Sequence, residues 1–404
     1  MVTNEPPREL VVRVLRLGVA GLGRAFMLML PTLAGDRRVS LVAAADPRRE
    51  ARDRFAHEFG GRAYDTVEAL CADPDVEVVY IATPHALHER HAMIAAAAGK
   101  HILVEKPMAL DTRACRSMID QARAAGVTLV VGHSHSFDAP YRRARALIVS
   151  GQFGAVRMIT AINYTDFLYR PRRPEELDSE HGGGVVLNQA AHHVDVVRRL
   201  AGTPVASVRA AVGDWDPGRP AQGAYTAFLQ FTGGAVASLV YSGYGRFDTD
   251  ELCGWVGESG QPKEPGDYGV ARARLAGAAT PQDETALKEA RSYGAQAGLS
   301  PAPPHRFHHH FGFLVVSCER GELRPVPDGV MVYGNEARWF DALEPPTVPR
   351  QEVVDELYDG VVHGRSPIHS GEWGMATVEV CLAMIRSAQE GREIALRDGA
   401  ASPP

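Results

Sequence analysis

The chain has 404 residues, with 43 Lys and Arg against 49 Asp and Glu, a formal net charge of -6 and 45% hydrophobic content. That length predicts two domains, the charge balance argues against a dedicated nucleic-acid binder, and no apolar run reaches membrane-span length. Five scattered cysteines, Cys71, Cys115, Cys253, Cys318 and Cys381, include no Cys-x-x-Cys pair, which favours reduced thiols in a cytoplasmic protein over disulfides or a zinc site. Residues 1–10 lack the apolar core of a signal peptide and read as a loose tail.

Residues 11–20 form a β-rich run that enters Gly21-Leu22-Gly23-Arg24-Ala25-Phe26, and 25–33 read as a helix. In a strand-turn-helix context this glycine pattern has a mechanism. Gly21 permits the tight turn, and Gly23 lets the backbone approach a pyrophosphate resting on the helix that Arg24 and Ala25 open. Phe26 replaces the usual third glycine, a position that serves helix-to-strand packing, so shifted packing is expected rather than lost binding. A second strand, 39–45, ends at Asp46, which follows Gly23 by 46 − 23 = 23 residues. A carboxylate about 20 residues on bonds the adenosine ribose and repels a 2′-phosphate, favouring NAD over NADP. Arg48 and Arg49 keep NADP open, although a solvated helix start is the preferred reading for both. The plainer reading of Asp46 is a helix cap before Pro47.

The alternation continues with a helix at 49–59, a short one at 66–71 and a strand at 76–82 ending in Thr83-Pro84. A helix at 89–98, a strand at 102–104, a helix at 112–125 and a strand at 128–131 follow. This order implies a parallel, doubly wound sheet over residues 11–135. Glu105-Lys106-Pro107 closes the buried strand at 102–104 with a paired acid and base. A surface ion pair is the bland reading, but an amine at the carboxyl end of a parallel strand is where α/β enzymes place working groups. His133 and His135 alternate along an extended segment and are expected to share a face, either contacting substrate or as satisfied structural histidines.

Residues 136–404 are expected to form a second α/β domain. A helix is expected at 140–150, and strands at 154–164, 205–212, 224–231 and 235–242 predict a mostly antiparallel sheet. Residues 244–304, rich in Gly, Pro and charge, read as an insertion with a helix near 285–293. Helices are expected at 353–361 and 375–389. Arg170, Arg172 and Arg173 follow the aromatic run from Tyr164 to Tyr169, a combination suited to a planar ring with carboxylates; a loop neutralised by its own acids is the alternative. The run His305-Arg306-Phe307-His308-His309-His310 lacks acidic or cysteine partners at supportive spacing, and adjacent histidines cannot all face one ion. Pocket lining or subunit packing is preferred, and no metal is expected.

The ordered set Gly21-Leu22-Gly23-Arg24, Asp46-Pro47, Ala82-Thr83-Pro84 with His88, Glu105-Lys106-Pro107, and the later Gly182-Gly183-Gly184 through Asn188, His192 and Asp195 resembles the glucose-fructose oxidoreductase / inositol dehydrogenase / MocA family. The resemblance implies a Rossmann domain, then an α/β domain whose large open sheet covers the nicotinamide and commonly forms the interface of a homodimer or homotetramer. It implies that Lys106 contacts substrate and nicotinamide ribose, often beside a cis proline, and that Thr83, Pro84, His88 and Glu105 belong to the cofactor site. The family's second signature places an acid four residues before a histidine. Here Asn188 stands at the acid position while His192 is retained, and at that spacing both share one helical face. An amide cannot hold an imidazolium as a carboxylate does, so Lys106 is expected to carry more of the proton chemistry. Residues 132–138, 163–178 and 311–320 resemble the 4,5-dihydro-4,5-dihydroxyphthalate dehydrogenase branch. The expectation is therefore oxidation of a cyclic carboxylated diol by NAD, with His133, His135, Tyr164 and the arginines as substrate contacts. A sugar or cyclitol dehydrogenase and a non-catalytic NAD-binding regulator are the alternatives.

Overall fold

The computed structural model describes residues 12–295 and 306–396, so the expected tail at 1–10 and His305 lie outside the described residues. The first half runs β1 (Leu15–Ala20), α1 (Arg24–Gly35), β2 (Val39–Ala45), α2 (Arg49–Phe59), β3 (Arg62–Tyr64), α3 (Val67–Ala72), β4 (Val78–Ile81), α4 (His88–Ala97), β5 (His101–Val104), α5 (Thr112–Ala124) and β6 (Leu129–Val131). Its six strands form a parallel sheet in the order β3-β2-β1-β4-β5-β6. Every residue of β4 and β6 is buried because helices cover both faces, which is why they read as unbroken apolar runs. The strand order reverses between β1 and β4, and the crevice at their carboxyl ends is the usual ligand position in such sheets.

The second half contains α6 (Ala139–Val149), β7 (Val156–Tyr164), α7 (Ala191–Ala201), β8 (Val205–Gly213), β9 (Ala224–Phe231), β10 (Val236–Ser242), α8 (Val270–Ala276), α9 (Pro281–Glu289), β11 (Phe313–Cys318), β12 (Gly321–Val326), β13 (Gly329–Gly334), β14 (Arg338–Ala342), α10 (Gln351–His363), α11 (Gly371–Glu390) and β15 (Ile394–Ala395). Nine strands make one sheet, antiparallel except for the β7–β10 pair. Residues alternate along β7 and β9: Ile159 and Leu229 are buried, while Met158 and Phe228 on the opposite face are 47% and 42% exposed.

Three expectations need correction. β11 to β14 were not foreseen, because Gly321, Pro325, Gly329 and Gly334 punctuate them like turns. The helix expected near 285–293 is α9, which starts earlier because Thr280 and Asp283 form a reciprocal capping box with Pro281 in the first turn. The division at residue 135 also understates the first unit. Val353, Val354 and Leu357 of α10 complete the core around Leu17 and Tyr80, and Met375 and Val378 of α11 complete that around Ile102 and Val104. No helix among the described residues is long and apolar enough to cross a membrane, and all five cysteines are free thiols.

Candidate active site

The turn after β1 has room for a glycine only. Gly21 adopts φ +92°, and a Cβ there would sit 2.9 Å from the Ala82 carbonyl oxygen. Gly23 caps α1 without a side-chain hydrogen bond, and a Cβ on it would meet nothing within 4 Å. The first turn of α1, with Arg24 and Ala25, therefore faces open space, the cradle a dinucleotide diphosphate requires. Phe26 is fully buried and packs edge-on against Tyr293 at 5.3 Å, which accounts for a bulky residue at the third glycine position.

Asp46, at the end of β2, accepts the Leu22 N–H at 2.8 Å, and both its oxygens accept from the Arg48 guanidinium at 3.0 Å. Arg48 also donates to the carbonyls of Leu22 at 2.8 Å and Tyr293 at 3.2 Å. The solvated helix start expected for Arg48 is thus incorrect, because a buried carboxylate and two carbonyls hold it. Arg49 does behave that way, 81% exposed beside Asp53. With its guanidinium committed to Asp46, Arg48 is a poor 2′-phosphate ligand, in keeping with NAD.

Beyond β4, Thr83 Oγ1 meets His91 Nδ1 at 2.9 Å, and Pro84 leads into a short turn. His88 is fully buried, with its two nitrogens 3.0 Å from the carbonyls of Pro107 and Thr83, so it braces the two loops against each other. The Lys106–Pro107 peptide is cis. Glu105 and Lys106 face apart: Tyr80 donates its hydroxyl to Glu105 at 2.6 Å, while Lys106 Nζ donates to the Asn188 carbonyl at 2.7 Å. Burial pushes the Glu105 carboxyl up and pulls the Lys106 ammonium down to about 8, with Glu105 and Glu258 opposing that fall and Arg172 and Arg350 adding to it.

Residues Val186–Ala190 form a π turn before α7, and the Asn188 side chain is engaged there by the glycine-rich turn before it. The Asn188 amide donates to the carbonyls of Gly182 at 3.0 Å and Gly184 at 2.8 Å, fixing the glycine-rich turn, and its main-chain carbonyl holds Lys106. His192 Nδ1 lies 3.4 Å from Ser134 Oγ, and its ring is 4.6 Å from that of His135. Burial, then the Lys106 charge, pulls His192 well below its ordinary range, so it is neutral at pH 7. Asp195 ties α7 to Ser136 and to Trp373 of α11.

The extended face expected for His133 and His135 is replaced by a tighter arrangement, because His135 opens a 3-10 turn. Their imidazoles donate to the two oxygens of Asp138, at 2.9 and 2.7 Å. These three residues could hold a metal ion geometrically, but each ligand atom is engaged within the trio. Burial raises Asp138 to about 8.

The second half supplies the opposite wall. Arg170 pairs with Asp166 at 2.7 Å and lies 3.9 Å from Glu258, so the self-neutralised reading applies to it. Arg172 donates to the Phe167 carbonyl at 2.8 Å, lies 3.7 Å over that ring and pairs loosely with Glu176 at 3.6 Å, so its loop is partly self-neutralised, yet its buried Nε has no hydrogen-bond partner. Arg173 offers its N–H to Glu176 at 2.8 Å. Tyr164 contacts the insertion through Thr249 and Phe247. The histidine run diverges: His308 faces the Glu344 carbonyl, His309 lies 6.0 Å from His133, and His310 faces the Val256 carbonyl. Sequence reasoning missed Asp138, Glu258 and Arg350. Asp138 carries a signal, an acid just before Ala139-Pro140 at a helix start. Arg350 carries none: it adopts φ +53°, and its buried Nε is unpartnered.

Comparison with known proteins matches residues 15–133 to the NAD-binding Rossmann fold of the GFO/IDH/MocA oxidoreductase family, and residues 141–261 to that family's C-terminal domain. The chain is 47% identical over 377 residues to 1-carboxy-3-chloro-3,4-dihydroxycyclohexa-1,5-diene dehydrogenase of Comamonas testosteroni, spanning 93% of this chain and 95% of that protein. It is 32% identical over 204 residues to mouse trans-1,2-dihydrobenzene-1,2-diol dehydrogenase, spanning 49% of this chain and 60% of that protein. A solved structure from Bordetella bronchiseptica superimposes with a TM-score of 0.89 at 39% identity, covering 95% of this chain and all of that one.

Proposed function

Because the chain belongs to the GFO/IDH/MocA family of NAD-binding oxidoreductases, we propose that it oxidises a carboxylated cyclohexadiene cis-diol to the corresponding catechol. A dicarboxylate of the 4,5-dihydro-4,5-dihydroxyphthalate type is the finer form of this reading. The observation that carries it is Arg172, a buried guanidinium with an unpartnered Nε beside Lys106, over an aromatic ring. Such a group favours a planar, anionic ligand. The carboxylated dihydroxycyclohexadiene named for the Comamonas relative supports the same class.

NAD⁺, when bound, supplies the hydride acceptor. Neutral Lys106 takes the hydroxyl proton as the carbinol C–H leaves as hydride, and neutral His192 bonds the carbinol oxygen. Arg172 orients the carboxylate. The hydroxyketone formed tautomerises to the catechol, its ring proton lost from carbon and one gained at the ketone oxygen, so the overall change is diol and NAD⁺ to catechol, NADH and a proton. Met158 and Phe228 on the exposed sheet face support a subunit interface there, which light scattering of the purified protein checks. The reaction is tested by following NADH formation with mono- and dicarboxylated dihydrodiols, a neutral dihydrodiol and myo-inositol. Turnover confined to the carboxylated diols is expected, and equal turnover of the neutral diol or of inositol refutes the carboxylate anchor.

A further inference from the structure

The insertion touches both halves within one short stretch. Glu284 of α9, buried, accepts the Arg172 N–H at 2.7 Å and pairs with Arg219 at 2.7 Å, while Lys288 pairs with Glu176. α9 is thereby fastened to the arginine loop. Just beyond it, the Tyr293 N–H donates to the carbonyl of Leu22, the residue between the two turn glycines, at 3.2 Å. The Tyr293 ring is fully buried against Phe26 of α1 and, at 6.5 Å, Phe59 of α2, with Arg54 4.9 Å over it. Its hydroxyl donates to Glu58 at 2.7 Å, and its carbonyl accepts from Arg48, the guanidinium that holds Asp46. Gly294 follows at φ +88°, where a Cβ would strike the Ala51 backbone at 2.7 Å. A random surface loop does not make so specific a landing on a cofactor turn.

Arg291 lies between these two anchors, half-buried. Neither Arg291 nor Arg24 has an ion-pair partner among the described residues. Arg24, exposed in the first turn of α1, is lowered by partial desolvation, then by Arg291, Arg170 and Arg350, and half-buried Arg291 is lowered by desolvation, then Arg170 and Arg274, with Asp166 opposing. Asp166 is the carboxylate that faces Arg291, and it is already engaged by Arg170, so the cations outnumber it and an anion between them is favoured.

We propose that residues 284–293 form a clasp over the dinucleotide site, in which Tyr293 sets the glycine turn and Arg291, beside Arg24, binds the cofactor diphosphate. This rests on the dinucleotide reading of the first half. A substrate carboxylate offers the same anionic chemistry, but the landing of Tyr293 on Leu22, next to the open space before Gly23, favours the diphosphate.

The test is NADH binding to the full chain without substrate, followed by fluorescence at low and high salt, with phthalate titrated calorimetrically as the carboxylate probe. Arg291→Gln is expected to weaken NADH binding about tenfold, as for one lost charge-assisted contact, with a shallower salt dependence and an unchanged melting temperature. Phthalate affinity should be retained. Parental NADH affinity in Arg291→Gln overturns the proposal, as does loss of phthalate binding alone. A parent that binds no NADH would instead sink the dinucleotide reading.

Discussion

Replacing Lys106 with methionine removes the amine and keeps most of the side-chain length. In the parent, Nζ is held by the Asn188 carbonyl at 2.7 Å, and burial brings the amine to about 8. About a tenth is then neutral at pH 7 and about nine-tenths at pH 9, so kcat/KM should rise about tenfold across that interval and level off above it. The sign follows from the role: the neutral amine accepts the hydroxyl proton, so activity is lost as pH falls through the amine's pKa. Lys106→Met should lower kcat by about 10²–10⁴-fold and abolish the rising limb. Arg172→Gln should shift the limb to higher pH, because Arg172 helps depress the amine. The assay is initial-rate NADH formation over this pH range at saturating NAD⁺. A rate that falls with rising pH would mean that the protonated lysine works as a fixed charge. A Lys106→Met variant with parental turnover would refute the base assignment outright.

Asn188→Asp, which restores the acid of the family signature, should harm rather than help. It aims a carboxylate at the carbonyls of Gly182 and Gly184, costing about 1–3 kcal/mol in calorimetry and lowering kcat through Lys106. An improved or neutral variant would show that the amide is not needed there. Arg172→Gln should also raise KM for the carboxylated diol about 10- to 100-fold while leaving KM for NAD⁺ near parental, as steady-state kinetics will show. Gly21→Ala should lose NADH binding in a fluorescence titration and cost at least about 1–2 kcal/mol, since its φ is positive and the added Cβ meets the Ala82 carbonyl.

The cofactor half was legible because its information is local. A glycine turn, an acid at the end of the next strand and an amine at the end of a later one each follow from strand polarity and chain spacing. Lys106 and Arg172 were likewise visible as residues. Their partners were not, because Asn188, Arg172 and Arg350 approach Lys106 from distant parts of the chain.

The sequence by itself determined the parallel sheet, the glycine turn and the candidate lysine, since period, turn chemistry and the positions of charges are properties of neighbouring residues. Tertiary structure alone decided what those groups face. It turned the Asn188 side chain away to the glycine carbonyls, committed Arg48 to Asp46, joined His133 and His135 on Asp138, and returned α10 to complete the first core. It also brought Tyr293 onto Leu22, giving the insertion a place beside the cofactor turn. Some of these contacts join residues far apart in the chain. Others, such as Arg48 on Asp46, join near neighbours whose side-chain directions the packed surroundings set, and burial then sets the protonation state. Neither effect is encoded in any single stretch of residues.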